Sequence, residues 1–227
     1  MFLDRYYLIL VVPFIIISMI AQYKVKSTYK KYAAVGNFRG LTGAQAAMQV
    51  LSYYGITDVT IRQISGTLTD NFNPTSKVIS LSSDIYNGTS VAAVGIACHE
   101  AGHAAQHAEN YTPIKVRNSI IPICNIGSTI GLPLAVLGYF LGFGLLIYAG
   151  LILYAAVFIF QLVTLPVEFN ASSRALKVIK ETNMLYEDEV DGARSVLSAA
   201  AMTYVAAMLV SLANLLRFVL RFSNRRN

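Results

Sequence analysis

The sequence predicts a mainly α-helical integral membrane protein, with three to four transmembrane helices and a small α+β domain at the membrane surface. Three observations carry this reading. Charged residues make up 13% of the 227-residue chain, against roughly 25% in a soluble domain. Apolar residues, 55% of the total, gather in three long blocks. Between the first two blocks lies a more polar stretch with one helical pattern, two alternating segments and a second, motif-bearing helix.

Taken in order, Tyr6 to Ala21 is uncharged, interrupted by Pro13, and about long enough to cross a bilayer. No small-residue cleavage site follows it, and the next stretch is basic (Lys24, Lys26, Lys30, Lys31, Arg39), so it is expected to stay as an uncleaved anchor. Leu41 to Tyr54 reads as a helix with Thr42 as its cap. Val59 to Thr67 and Lys77 to Ser82 alternate like short strands, and Asp70 to Ser76, with Asn73-Pro74, has turn composition. An edge strand there is expected either to align an extended peptide or simply to complete a small core.

Val91 to Ala108 reads as a proline-free helix with Ser90 as cap. It contains His99-Glu100-Ala101-Gly102-His103. Positions i and i+4 share a helix face, so His99 and His103 can offer two imidazoles to one ion, while Glu100 reaches a water beside it. This H-E-x-x-H spacing is that of zinc-dependent hydrolases with glutamate as general base. The polar stretch is therefore expected to be a zincin-like metalloprotease domain holding one Zn²⁺ per chain. A tetrahedral catalytic zinc needs a third protein ligand and an open fourth position. His107 lies about 12 Å along the helix axis from His99, too far for one ion to bridge easily, and reads as solvent-facing or as a support for the ligands.

From Ser119 to Leu165 no residue is charged. That length suits two spans of about 20 residues. Gly138, Gly142 and Gly144 mark the turn, and Pro122 and Pro133 fall inside the first span. Pro166 is placed to restart a helix, with Glu168 projecting from its first turn. Glu168 is the leading candidate for third ligand; a helix-dipole or capping carboxylate is the plainer alternative. Glu181, Glu187, Asp188, Glu189 and Asp191 read as a solvated surface. Val196 to Leu216 is either a fourth span or an amphipathic helix against the domain, with the tail Arg217, Arg221, Arg225 and Arg226 at the headgroups.

These segments divide the chain into an anchor (1–23), a metalloprotease domain (24–118), a transmembrane hairpin (119–165), a returning segment with the third ligand (166–195), and an apolar helix with basic tail (196–227). The basic clusters after the anchor and on both sides of the hairpin share one face of the membrane, which the positive-inside rule makes the cytoplasm. The arginine tail is discordant, because four spans place it on the other side. The net charge of +6 lies beside apolar segments and not along a separate patch, so lipid explains it and nucleic acid does not. Cys98 and Cys124 read as buried small hydrophobes, and Asn87-Gly88-Thr89 as a turn.

The chain resembles the bacterial membrane zinc metallopeptidases typified by YugP. The resemblance rests on Asp70 to Leu81 (DNFNPTSKVISL), Ala97 to Gln106 (ACHEAGHAAQ), Leu165 to Ala175 (LPVEFNASSRA) and Ala199 to Ala206 (AAAMTYVA). It is also similar in order to HtpX-type and prenyl-protein membrane proteases. The resemblance implies His99, His103 and Glu168 as zinc ligands and Glu100 as catalytic base. Those wider relatives carry an aspartate four residues after the glutamate ligand, where this chain has Ser172; Asn170 or Ser172 is expected to orient a ligand histidine instead. Arg174, Tyr204 and His107 are the candidate oxyanion donors. The expected reaction is peptide-bond hydrolysis in membrane or membrane-proximal polypeptides by a zinc-activated water, in the bacterial cell membrane with the domain cytoplasmic. A non-catalytic membrane scaffold with a structural zinc, closed by a fourth ligand such as His107 or Asp191, is the rival. A hydrolase of lipids or small molecules is a third reading.

Overall fold

The computed structural model describes residues 4–223. The chain is a helical membrane protein with a small α+β part. Among the described residues, four helices are long and apolar enough to cross a membrane: Tyr7–Ala33, Thr112–Leu141, Gly144–Glu181 and Glu187–Arg221.

A π-helical turn, Tyr7–Val11, leads into α1 (Val12–Ala33). The helix does not stop where the lysines begin, because Lys, Tyr and Ala sustain a helix and no glycine intervenes before Gly36. The next helix, α2 (Gly43–Tyr53), starts at a reciprocal cap: Thr42 Oγ1 accepts from the Gln45 N–H, and Gln45 Oε1 accepts from the Thr42 N–H.

Three strands follow: β1 (Thr60–Ile64), β2 (Asn71–Asn73) and β3 (Val78–Ser82), in the order β1-β3-β2. β1 runs parallel to β3 with Ile61 opposite Ile79, and β2 is antiparallel with Phe72 opposite Ile79. The segment read as turn from Asp70 to Ser76 thus contains a strand. Its three residues are too few to show an alternation, and the turn itself is confined to the end of that segment, where Asn73 Oδ1 accepts from the N–H groups of Thr75 and Ser76. The short helix α3 (Ser83–Tyr86) joins β3 to the next element.

The helix α4 (Val91–Ala108) starts where Ser90 Oγ accepts from the Ala93 N–H. Its alanines and valines are buried around nearly its whole circumference, so it forms the axis of the α+β part. Helices α5 (Thr112–Ile126) and α6 (Leu132–Leu141) are joined by the π-helical turn Gly127–Gly131 and make one apolar rod. Pro122 sits within α5, while Pro133 lies in the first turn of α6, where its missing N–H costs little. Gly142, at φ +73°, reverses the chain into α7 (Gly144–Glu181).

Two expectations about the later helices are corrected. Pro166 does not restart a helix: α7 is continuous for 38 residues and Pro166 is inside it. A transmembrane helix tolerates a proline where neighbours satisfy the freed carbonyl, and Glu168 therefore stands on a mid-helix turn. The helix that carries the last apolar block begins before Val196: α8 runs Glu187–Ser223, with Glu187, Asp188 and Glu189 in its first turn. Acidic groups favour the positive end of the helix dipole, so the charged stretch starts the helix instead of preceding it.

The chain divides into two compact units. One comprises 1–22, 115–166 and 202–227; the other 23–114 and 167–201. In the first, the hairpin packs backbone to backbone: a Cβ on Gly127 would come 2.1 Å from the Leu153 carbonyl oxygen. There Asp4 pairs with Arg217 at 2.8 Å and also with Arg221. A carboxylate just before the first span thus draws in those two arginines of the basic tail. Arg225 and Arg226 lie outside the described residues. In the second unit, α2, β3, α3, α4 and parts of α7 and α8 share one core that includes Val50, Ile79, Leu81, Ile85, Val94 and Val178.

Candidate metal centre

Within the second unit, α4 supplies His99, Glu100 and His103, and α7 supplies Glu168. The two histidines are one helical turn apart, with ring centroids 4.7 Å apart and nearly perpendicular. Both present Nε2 to the same oxygen: Glu168 Oε2 is 3.4 Å from His99 Nε2 and 3.5 Å from His103 Nε2. Among the described residues this is the group whose donor atoms converge as metal ligands would. Glu168 and His103 are buried, and His99 is partly open.

This donor set fits zinc. Zinc bonds of about 2.0–2.2 Å at tetrahedral angles place neighbouring ligand atoms roughly 3.3–3.6 Å apart, the spacing seen between the carboxylate and each imidazole. Two nitrogens and one oxygen are the usual ligands of a site that keeps a fourth position open.

The far side of each ring is also engaged. His99 Nδ1 lies 3.1 Å from Ser172 Oγ, and His103 Nδ1 lies 3.0 Å from Gln106 Oε1. Glu100 is 9% exposed. Burial pushes its carboxyl above the ordinary range, His99 and His103 pull it down, and Glu168 and Asp70 add to the rise. For His103, burial alone would lower the pKa; the neighbouring carboxylates of Glu168 and Glu100 outweigh it and raise it.

The other sequence candidates fall differently. Asn170 Oδ1 accepts from Arg174 Nε at 2.7 Å, and Arg174 pairs with Glu109 at 2.6 Å beneath Tyr54 and Tyr111. The Arg174 guanidinium thus donates from Nε to Asn170 and from Nη1 to Glu109. His107 is exposed, with its ring 6.1 Å from that of Phe72 on β2, and is not part of the converging group. Asp191 is exposed and pairs with Arg194 at 3.0 Å. Tyr204 is half-buried on α8 within the other unit. Cys98 and Cys124 are free and buried.

Sequence reasoning missed two residues. Gln106 follows His103 by three positions, a spacing that already placed it on the same face. Gly102 lets α4 and α7 approach closely: a Cβ there would lie 2.7 Å from the Ala171 carbonyl oxygen. A groove of about 400 Å³ between α2 and β1, lined by Met48, Leu51, Val59 and Tyr86 among others, holds none of the candidate residues.

Comparison with known proteins agrees with this chemistry. A family model described as "Putative neutral zinc metallopeptidase" matches residues 7–223. The chain is 46% identical over 211 residues to the "Putative membrane protease YugP" of Bacillus subtilis (strain 168), covering 93% of this chain and 94% of that protein. No solved structure matches it.

Proposed function

The chain belongs to the neutral zinc metallopeptidase family, and from that premise we propose that it is a membrane-embedded zinc endopeptidase in which His99, His103 and Glu168 hold one metal ion and Glu100 is the general base. One observation carries the reading. Two imidazole Nε2 atoms and one carboxylate oxygen from separate helices meet at 3.4 and 3.5 Å, with a buried glutamate next to the first imidazole in sequence.

A zinc ion held by His99, His103 and Glu168 would supply Lewis acidity for activating a water and polarising a carbonyl. Glu100 accepts the proton of the attacking water and returns it to the departing amine. Its burial suits that role, because a carboxylate with a raised pKa is the stronger base. His99 and His103 use one ring nitrogen each towards Glu168, while Ser172 and Gln106 occupy the other.

The substrate reading follows from the chain itself. Glu168 is two residues beyond Pro166, on the helix whose preceding part is apolar enough to cross a membrane. Membrane proteins and membrane-proximal peptides are therefore the expected substrates, with lipid bilayer as the other partner. The basic segments after the first span and around the hairpin favour a cytoplasmic domain in the bacterial cell membrane. A scaffold with a purely structural zinc is disfavoured, because such sites close with four protein ligands, and neither His107 nor Asp191 joins the three.

The test is Glu100→Gln in the purified, detergent-solubilised chain. It should keep one zinc per chain and lose peptide cleavage. Turnover equal to the parent protein would remove Glu100 from the mechanism, and absence of zinc from the parent would remove the mechanism altogether.

A further inference from the structure

Gln106 is fully buried, and its amide is used at every polar atom. Oε1 faces His103 Nδ1 at 3.0 Å. Nε2 donates to the Val167 carbonyl at 2.8 Å and to Asn170 Oδ1 at 3.0 Å. We propose that Gln106 is a positioning residue that sets the tautomer of His103, and that Asn170 and Arg174 set the orientation of Gln106. This rests on the reading of His103 as a metal ligand.

The direction of the network is fixed from its charged end. Arginine has no acceptor, so the Asn170 atom that receives Arg174 Nε at 2.7 Å must be the oxygen. The Gln106 atom bonded to that oxygen must then be the nitrogen, which also suits the Val167 carbonyl. That leaves the Gln106 oxygen for His103, and an amide oxygen can only accept. Nδ1 of His103 therefore carries hydrogen, and in the neutral ring the lone pair lies on Nε2, towards Glu168. Glu109 and the rings of Tyr54 and Tyr111 anchor the arginine, so the relay ends on a side chain that is itself held.

His99 differs. Its Nδ1 meets the Ser172 hydroxyl, which donates or accepts equally well and dictates no tautomer. One ligand is thus set in advance and the other adapts. The arginine that sequence reading offered as an oxyanion donor acts here at the far end of the relay.

The experiment measures zinc affinity of the full chain in detergent, by competition with a chromophoric chelator, beside ¹⁵N spectra of the metal-free histidines at alkaline pH, where the rings are neutral. Gln106→Met keeps the length of the side chain and removes its polar atoms; it should weaken zinc about 10–100-fold and lose the Nδ1–H signature of His103. Should that variant not fold, Asn170 gives the same answer. Asn170→Asp keeps an oxygen for both donors and should bind zinc like the parent, whereas Asn170→Leu should weaken it. Parent-like affinity and an unchanged His103 tautomer in Gln106→Met or Asn170→Leu would overturn the relay while leaving the metal site standing. A parent protein that binds no zinc would overturn both.

Discussion

Gly102 lies so close to Ala171 that a methyl group on it would come within 2.7 Å of the Ala171 carbonyl oxygen. That obstacle is backbone and cannot swing aside. Ala171 is three residues from Glu168 on α7, and Gly102 is next to His103 on α4. Moving the helices apart at this crossing therefore moves the carboxylate away from the imidazoles. Gly102→Ala should cost about 1–3 kcal/mol of stability, and zinc affinity should fall with it. A variant with unchanged melting temperature and unchanged zinc content at limiting metal would show that the crossing does not hold Glu168 in place.

Much of this was legible in the chain. His99 and His103 share a face by spacing alone, and the H-E-x-x-H pattern carries its chemistry in the sequence. The apolar blocks announced the long helices because the bilayer sets their length. What escaped reading was non-local or too short. β2 is three residues long, and its place beside β3 depends on pairing that no local pattern records. Pro166 was read as a boundary because local propensity cannot reveal a helix held on both sides by its own length. Gln106 was overlooked for another reason: its partners on α7 come from a distant part of the chain, and a glutamine earns notice only once they are in place.

Glu168→Ala should abolish zinc retention. It leaves two imidazoles, which hold zinc less tightly than three ligands. Dialysis against a moderate chelator, followed by metal analysis, should leave the variant empty while Glu100→Gln stays loaded. Equal retention in the two variants would show that the carboxylate is not a ligand.

Asp70 accepts the Ser82 N–H at 2.8 Å and lies beside the Ser82 hydroxyl. Burial nonetheless raises its pKa above the ordinary carboxylate value, outweighing those two hydrogen bonds. The folded protein thus binds this proton more tightly than the unfolded chain. Its contribution is fully present below the unfolded pKa and is lost as pH rises through the folded one. Asp70→Asn stays uncharged and keeps an oxygen for Ser82, so its melting temperature should exceed that of the parent at neutral pH. The difference should shrink on acidification. A gap that is constant with pH would assign the effect to packing and not to charge.

Asp4 precedes the first span, and Arg217 and Arg221 lie near the end of the last, yet the three meet. Arg217 is nearly buried, its side chain 7% exposed, and lies over the rings of Tyr7 and Phe218. Asp4→Asn removes the negative charge that both arginines meet and leaves two positive side chains in a poorly hydrated place. Breaking a buried pair from one side costs up to about 3–5 kcal/mol, and the 20% exposure of Asp4 discounts that figure. The variant should melt lower in detergent. Because removing both partners of a buried pair is far less costly than removing one, Asp4→Asn combined with Arg217→Met should recover part of the loss. The same contact requires Asp4 and Arg221 to lie on one side of the membrane, so reporter fusions at the two termini should give the same signal. Opposite signals would mean that α8 does not run back alongside the start of the chain, and the ion pair would have to be abandoned.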